Sequence, residues 1–190
     1  LLEAMEEQTV TQDGETLALP QPFFVIATQN PSYQIGTFPL PESQLDRFLM
    51  RVALGYPDAR AERALLKGKE RRDIVDSLQP LLDDADLMLL QKKVRSVHVS
   101  NALLDYLQDL IAHTRQSPDL EMGLSPRAGI AMLRCSQAWA MLAGRDYAVP
   151  EDVQAVLPSV VGHRLRPVHD PGGTDPITLS ETVLGQVPIP

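Results

Sequence analysis

Cysteine is nearly absent from this 190-residue chain, where Cys135 stands alone. One thiol excludes an internal disulfide framework and any thiolate metal cluster, and it fits a reducing, cytoplasmic setting. Positive charge is short as well. The formal net charge of −8 argues against a nucleic-acid partner, whose backbone requires a basic face. No apolar run is long enough to cross a bilayer, and no signal peptide is visible. Eleven glycines are present, yet none lies in the Gly-x-x-x-x-Gly-Lys-Ser/Thr arrangement. Gly68-Lys69-Glu70 lacks both the leading glycine and the hydroxyl. No apolar strand ending in paired acids precedes Asn30. The groups that hold phosphate and magnesium in phosphate-loop enzymes are therefore missing from these residues. The histidines, His98, His113, His163 and His169, are scattered singly, and none pairs with a carboxylate at metal-ligand spacing.

What is present is enough for a core, since 44% of the residues are apolar. Charge divides the chain unevenly. Residues 1–56 carry two basic and seven acidic residues, residues 57–166 carry fifteen of each, and residues 167–190 add three acids. Leu1 to Glu7 begins in mid-helix without a cap, as expected of a piece of a longer chain. Thr9-Val10-Thr11 and Glu15 to Leu19 flank Asp13-Gly14, a hairpin signal. Phe23 to Ala27 is apolar without alternation and reads as a strand buried on both faces of a parallel sheet. Thr28-Gln29-Asn30-Pro31 ends it, so Asn30 is expected where that strand leaves its sheet, a usual ligand position in α/β folds. A short helix from Glu42 and a strand from Met50 to Gly55 follow.

Tyr56-Pro57-Asp58 marks the domain boundary, and beyond it the pattern is helical. Asp58 is placed to cap a helix reaching about Arg71. Asp83 to Val97 carries apolar residues at helical spacing. Ser100 caps a helix with Leu103, Leu107, Leu110 and Ile111 on one face. Ser125-Pro126 pairs an N-cap with proline at the first helical position, and Gly144 stops that helix. Pro150 opens another, and a last short one is expected over Val160 to Arg164. Residues 57–166 thus read as a helical bundle. Residues 167–190, with five prolines and three glycines, read as an irregular tail. The fold class is α/β plus all-α: a partial α/β core over 1–56, then the bundle. Cys135 and Trp139 are expected in the core.

Two arginines carry chemistry. Arg47 sits between apolar anchors in Leu45-Asp46-Arg47-Phe48. Arg127 lies in the first turn of its helix, where free N–H groups favour anions and a guanidinium adds a phosphate contact. Each has a plainer reading as an ion pair, Arg47 with Asp46 or Glu42, and Arg127 with Asp119 or Glu121. Asn30 can equally cap the turn before Pro31.

ATQNP (Ala27 to Pro31), then Gly36 to Glu42, then QLDRF (Gln44 to Phe48), and then GLSPRA (Gly123 to Ala128) resemble, in that order, the MoxR branch of the AAA+ ATPases. The resemblance runs from Leu1 to about Arg166. It implies that Asn30 is sensor 1, which positions the attacking water. It makes Arg47 an arginine finger reaching the nucleotide of the neighbouring subunit, and Arg127 the sensor 2 contact to nucleotide phosphates. It also implies ATP and Mg2+ as cofactors of the parent protein and a homo-oligomer, a hexameric ring. Chaperone-like remodelling of partner proteins follows, some of them carrying von Willebrand factor A domains. Without a phosphate loop this piece is expected to hydrolyse no ATP by itself. Two alternatives stay open: a non-enzymatic helical interaction module, and another AAA+ motor of the magnesium-chelatase kind.

Overall fold

Among the described residues, four helices begin at a short polar side chain that accepts from the backbone three residues on. The computed structural model describes residues 2–29, 40–68, 75, 77–169 and 175–190. In chain order its elements are α1 (Leu2–Glu7), β1 (Thr9–Gln12), β2 (Glu15–Ala18), α2 (Glu42–Leu45), α3 (Ala59–Lys67), α4 (Asp84–Ser96), α5 (Asn101–Gln116), α6 (Pro126–Leu142), α7 (Pro150–Val161) and α8 (Pro176–Leu184). Asp58, Asp83, Ser100 and Ser125 accept the N–H of Ala61, Asp86, Leu103 and Ala128, at 2.7, 2.8, 3.2 and 3.0 Å. Each thereby satisfies an otherwise orphaned donor. Valine has no acceptor with which to cap α7. There the Asp152 carboxylate reaches back to the Val149 N–H at 2.8 Å and is itself gripped by Arg145. Proline at the first position opens α6, α7 and α8.

The core lies in the second half of the chain. Leu103, Tyr106, Leu107 and Leu110 of α5 form one buried stripe. It meets small side chains of α6, among them Ala128, Ala131, Cys135 and Ala140. These let α6 pack closely on Val153, Val156, Leu157, Val160 and Val161 of α7. Polar ties set the connections. Thr114 Oγ1 donates to the Ile111 carbonyl at 2.8 Å and accepts the Leu124 N–H at 3.0 Å. The buried Gln137 amide donates to the Val97 carbonyl at 2.8 Å. Gly123 passes close over Arg115, whose Cα would lie 2.5 Å from a Cβ at this position.

At β1–β2, Asp13 and Gly14 both have positive φ, 53° and 84°, as a type I′ turn demands. The strands pair antiparallel with Gln12 opposite Glu15. The expected helices from Glu42, Asp58, Asp83, Ser100, Ser125 and Pro150 are all present, though the one from Asp58 ends at Lys67, short of the expected Arg71.

Several expectations are corrected. Phe23 to Ala27 forms no strand, and Phe24 and Ile26 are 68% and 77% exposed. A strand exists only as one side of a ladder, and no described residue offers it a partner edge. The same holds for Met50 to Gly55, where Leu54 is 95% exposed. No separate helix covers 160–164; α7 ends at Val161 and the chain turns. Residues 167–190 are not simply irregular. They contain α8, whose Leu179 and Val183, with Val187 beyond, close the core against α7 and α5. Alternating prolines and glycines hid a short apolar stripe. By contrast α3 and α4 bury no residue. Trp139, in the last turn of α6, is half exposed.

Leu157 is fully buried, so Leu157→Ala is expected to lose about 2–5 kcal/mol of stability. Leu81, almost entirely exposed, is expected to tolerate alanine within about 0.5 kcal/mol. Urea unfolding followed by circular dichroism measures both. Equal losses would mean that segment 75–82 packs on the core.

Candidate functional site

The helix α2 ends at Asp46, and the chain turns through Arg47 and Phe48 before extending at Leu49. A helix end leaves carbonyls without partners. Here one side chain takes them, Arg164, just past the end of α7. Its Nη2 donates to the Asp46 carbonyl at 3.0 Å and to the Phe48 carbonyl at 2.6 Å. Its Nη1 donates to Leu49 at 3.2 Å and to Val160 at 2.5 Å. Its Nε donates to Asp46 Oδ1 at 2.9 Å. The side chain is only 4% exposed. A guanidinium has five N–H groups, and all five are used. His163 adds a second donor to the Phe48 carbonyl, with Nε2 at 3.0 Å.

The Asp46 carboxylate joins this turn to the start of α6. Besides Arg164, it accepts from the Ser125 hydroxyl at 2.9 and 3.0 Å and from Arg127 Nη1 at 3.2 Å. Ser125 is thus the N-cap of α6 and a contact to the turn at once. Backbone contact continues the seam, with the Arg51 N–H donating to the Ser159 carbonyl at 2.8 Å. At the rim, Arg166 pairs with Glu42 at 3.3 Å.

Arg47 and Arg127 meet at a carboxylate neither was expected to use. Glu6, in the last turn of α1, holds Arg47 Nη1 through Oε2 and Arg127 Nη2 through Oε1. Both plainer readings therefore need correction. Arg47 pairs with neither Asp46 nor Glu42, because Asp46 is taken by Arg164, Ser125 and Arg127, and Glu42 by Arg166. Arg127 pairs with neither Asp119 nor Glu121. The Nε of Arg47 is buried and finds no acceptor among the described residues. Asn30 lies outside the described residues, as do Gly36 to Pro39. Sequence reasoning missed Glu6, Asp46 and Arg164 as site residues. A cation at a helix C-terminus was the one local signal for Arg164. Nothing local marked Glu6.

Residues 112–182 match the AAA lid domain, and residues 1–50 match the ATPase family associated with various cellular activities (AAA). The chain is 43% identical over 165 residues to "Uncharacterized protein YeaC" of Bacillus subtilis, covering 87% of this chain and 52% of that one. It is 37% identical over 180 residues to "Chaperone MoxR1" of Mycobacterium tuberculosis, covering 90% and 47%. It superposes on the crystal structure of a "putative ATPase" from Cytophaga hutchinsonii with a TM-score of 0.88 and 32% identity, over all of this chain and 61% of that chain. The chain belongs to the MoxR family of AAA+ ATPases. It spans about half the length of these curated relatives. Its fold, accordingly, is part of an AAA+ domain followed by a helical lid.

In this MoxR-family chain the turn and the lid meet through groups whose protonation is set by the contact. Burial pushes the Asp46 carboxyl up, but the hydrogen bonds from Arg164 and Ser125, with the Arg164 charge, outweigh it and hold it below its ordinary value. Burial first, then the Arg164 charge, lowers His163 to about 4, so it is a neutral donor to Phe48. Cys135 is pushed up to about 11 by burial, an inert core thiol as expected. Among the described residues no group of acids, histidines and cysteine is arranged to hold a metal ion.

The depressed His163 value gives a sign. Between its unfolded value near 6.5 and about 4, the unfolded chain binds the proton that the folded chain refuses. Stability is therefore complete above about 6.5 and falls as pH drops toward 4. Asp46 extends the loss to lower pH, because its folded value lies below the unfolded one near 3.9. Thermal melts from pH 7 to 4 are expected to show the decline, and His163→Gln to flatten it. An unchanged slope in that variant would remove His163 as its source.

Proposed function

We propose that this chain supplies the sensing and lid elements of an ATP-hydrolysing, chaperone-like ring protein that remodels or activates partner proteins. The observation that supports it is the convergence of Arg47 and Arg127 on the two oxygens of Glu6. A carboxylate held by two guanidinium groups has the charge and the oxygen pair that a phosphate also presents. In this reading residues 1–56 belong to the α/β core, residues from 57 onward form the lid, and α8 completes it.

These residues fit the phosphate end of a nucleotide. Among the described residues no group of acids, histidines and cysteine is arranged to hold its magnesium ion, so the proposal assigns no step to the metal. ATP supplies the transferable phosphoryl group when bound. Asn30 orients the water. Arg47 offers charge to that group in the neighbouring subunit, and Arg127 holds phosphate oxygens from the lid of its own subunit. Glu6 is then the resting partner of both arginines. An arginine serving the next subunit's site requires a ring, six-membered in the family pattern. Partners carrying von Willebrand factor A domains and a cytoplasmic setting belong to the same proposal. The 190-residue chain alone is expected to show no ATP turnover.

The test is ATP turnover by the full-length gene product, its Arg47→Ala variant, and a one-to-one mixture of that variant with one lacking the phosphate-loop lysine. Each variant is expected to be inactive alone and the mixture active, since an intact arginine then faces an intact phosphate loop. Wild-type turnover by Arg47→Ala would refute the assignment. No turnover by the full-length protein would leave a helical interaction module as the account.

A further inference from the structure

Arg47 stands between two carbonyls held by the same guanidinium nitrogen. Arg164 Nη2 donates to the Asp46 carbonyl before it and to the Phe48 carbonyl after it, at 3.0 and 2.6 Å. The Arg47 backbone cannot shift without stretching one of these bonds. The His163 ring fastens the Phe48 carbonyl a second time. We propose that Arg164, acting with Asp46, is a positioning residue that sets where Arg47 is presented and links that position to the lid arginine Arg127. The inference rests on the reading of Arg47 as an arginine acting on the neighbouring subunit.

The buried part of the link runs through the Asp46 carboxylate, beside the more exposed Glu6 that also joins Arg47 to Arg127. Asp46 takes Arg164 Nε on one oxygen and Arg127 Nη1 on the other, with Ser125 hydroxyl across both. When Arg127 leaves Asp46 and Glu6 for a phosphate, the Asp46 carboxylate loses one donor from the lid but keeps the other two, Arg164 and Ser125. The turn bearing Arg47 then stays with the end of α7 and moves as the lid moves. Lid position in one subunit is thereby expressed at the site of the next. Arg164 itself is buried and touches no substrate; it acts only through the turn. Lysine has too few donors and no planar fork, so it cannot hold five acceptors in one plane.

A merely structural Arg164 predicts damage confined to its own subunit. A positioning Arg164 predicts the mixing behaviour of Arg47 itself. The full-length protein is made as Arg164→Lys, Asp46→Asn and Arg47→Ala, each alone and mixed one-to-one with the variant lacking the phosphate-loop lysine. Arg164→Lys alone is expected to lower kcat roughly tenfold or more while KM for ATP changes by less than about twofold, as a misplaced catalytic group does. Its mixture is expected to recover turnover. Recovery with Arg47→Ala but not with Arg164→Lys would overturn the inference and leave the trans arginine intact. A raised KM with kcat unchanged would also overturn it, placing Arg164 on the nucleotide-binding side. Failure of the Arg47→Ala mixture overturns both. If Arg164→Lys does not assemble, Asp46→Asn decides by the same two readouts, and wild-type kcat in that variant overturns the link.

Discussion

A guanidinium withdrawn from water must have every N–H answered, and Arg164 does. Its five acceptors come from a helix end, a turn and one carboxylate. Removing one partner of such a buried pair costs about 3–5 kcal/mol, because the other charge is left uncompensated. That cost locks the turn around Arg47 onto the end of α7. The seam between the first fifty residues and the lid is consequently polar and directional rather than greasy. Its geometry depends on hydrogen bonds that tolerate little displacement.

Among the described residues, both candidate arginines, Arg47 and Arg127, lie at that seam. Ser125 caps α6 and touches Asp46, so the helix bearing Arg127 starts where the turn bearing Arg47 ends. Arg127 lies in a first helical turn, a position that ordinarily disfavours a cation. The acids Asp46 and Glu6 offset the mismatch. Glu6 reaches in from α1, which is anchored by buried Ala4 and by Glu3 binding the Thr11 hydroxyl of the hairpin at 2.6 Å. The result is a chain of alternating charges, Arg47, Glu6, Arg127, Asp46, Arg164, most exposed at Glu6 and Arg127 and most buried at Arg164.

The core of the helical half is one cluster of buried residues drawn chiefly from α5, α6, α7 and α8. Small residues of α6 meet branched residues of α7, and α8 covers the remaining apolar edge. At Gly162 a Cβ would lie 2.6 Å from Pro176 Cβ, so the turn after α7 and the start of α8 are in contact. That contact lies two residues from Arg164. The anchor of the site and the closure of the core are therefore the same stretch of chain. The first half differs. Phe24, Ile26, Leu54 and Tyr56 face solvent, as unpaired strand segments must.

Local chemistry made much of this legible in the sequence. The N-caps Asp58, Ser100 and Ser125, the prolines that open α6 and α7, the Asp13-Gly14 turn and the α5 stripe each depend on residues close together in the chain. The ordered motifs around Arg47 and Arg127 pointed to the MoxR family on the same footing. What tertiary structure alone decided depends on partners far away in the chain. Phe23 to Ala27 has strand composition, but strand formation needs an edge that no local pattern guarantees. The stretch 176–184 hid its helix because its burial is against α7 and α5, not within itself. Glu6, Asp46 and Arg164 lie in three unrelated segments, and only folding brings three ordinary surface-type charges into one network. The sequence by itself determined which groups could act; the packing of α7 against the turn at Asp46 decided which of them meet.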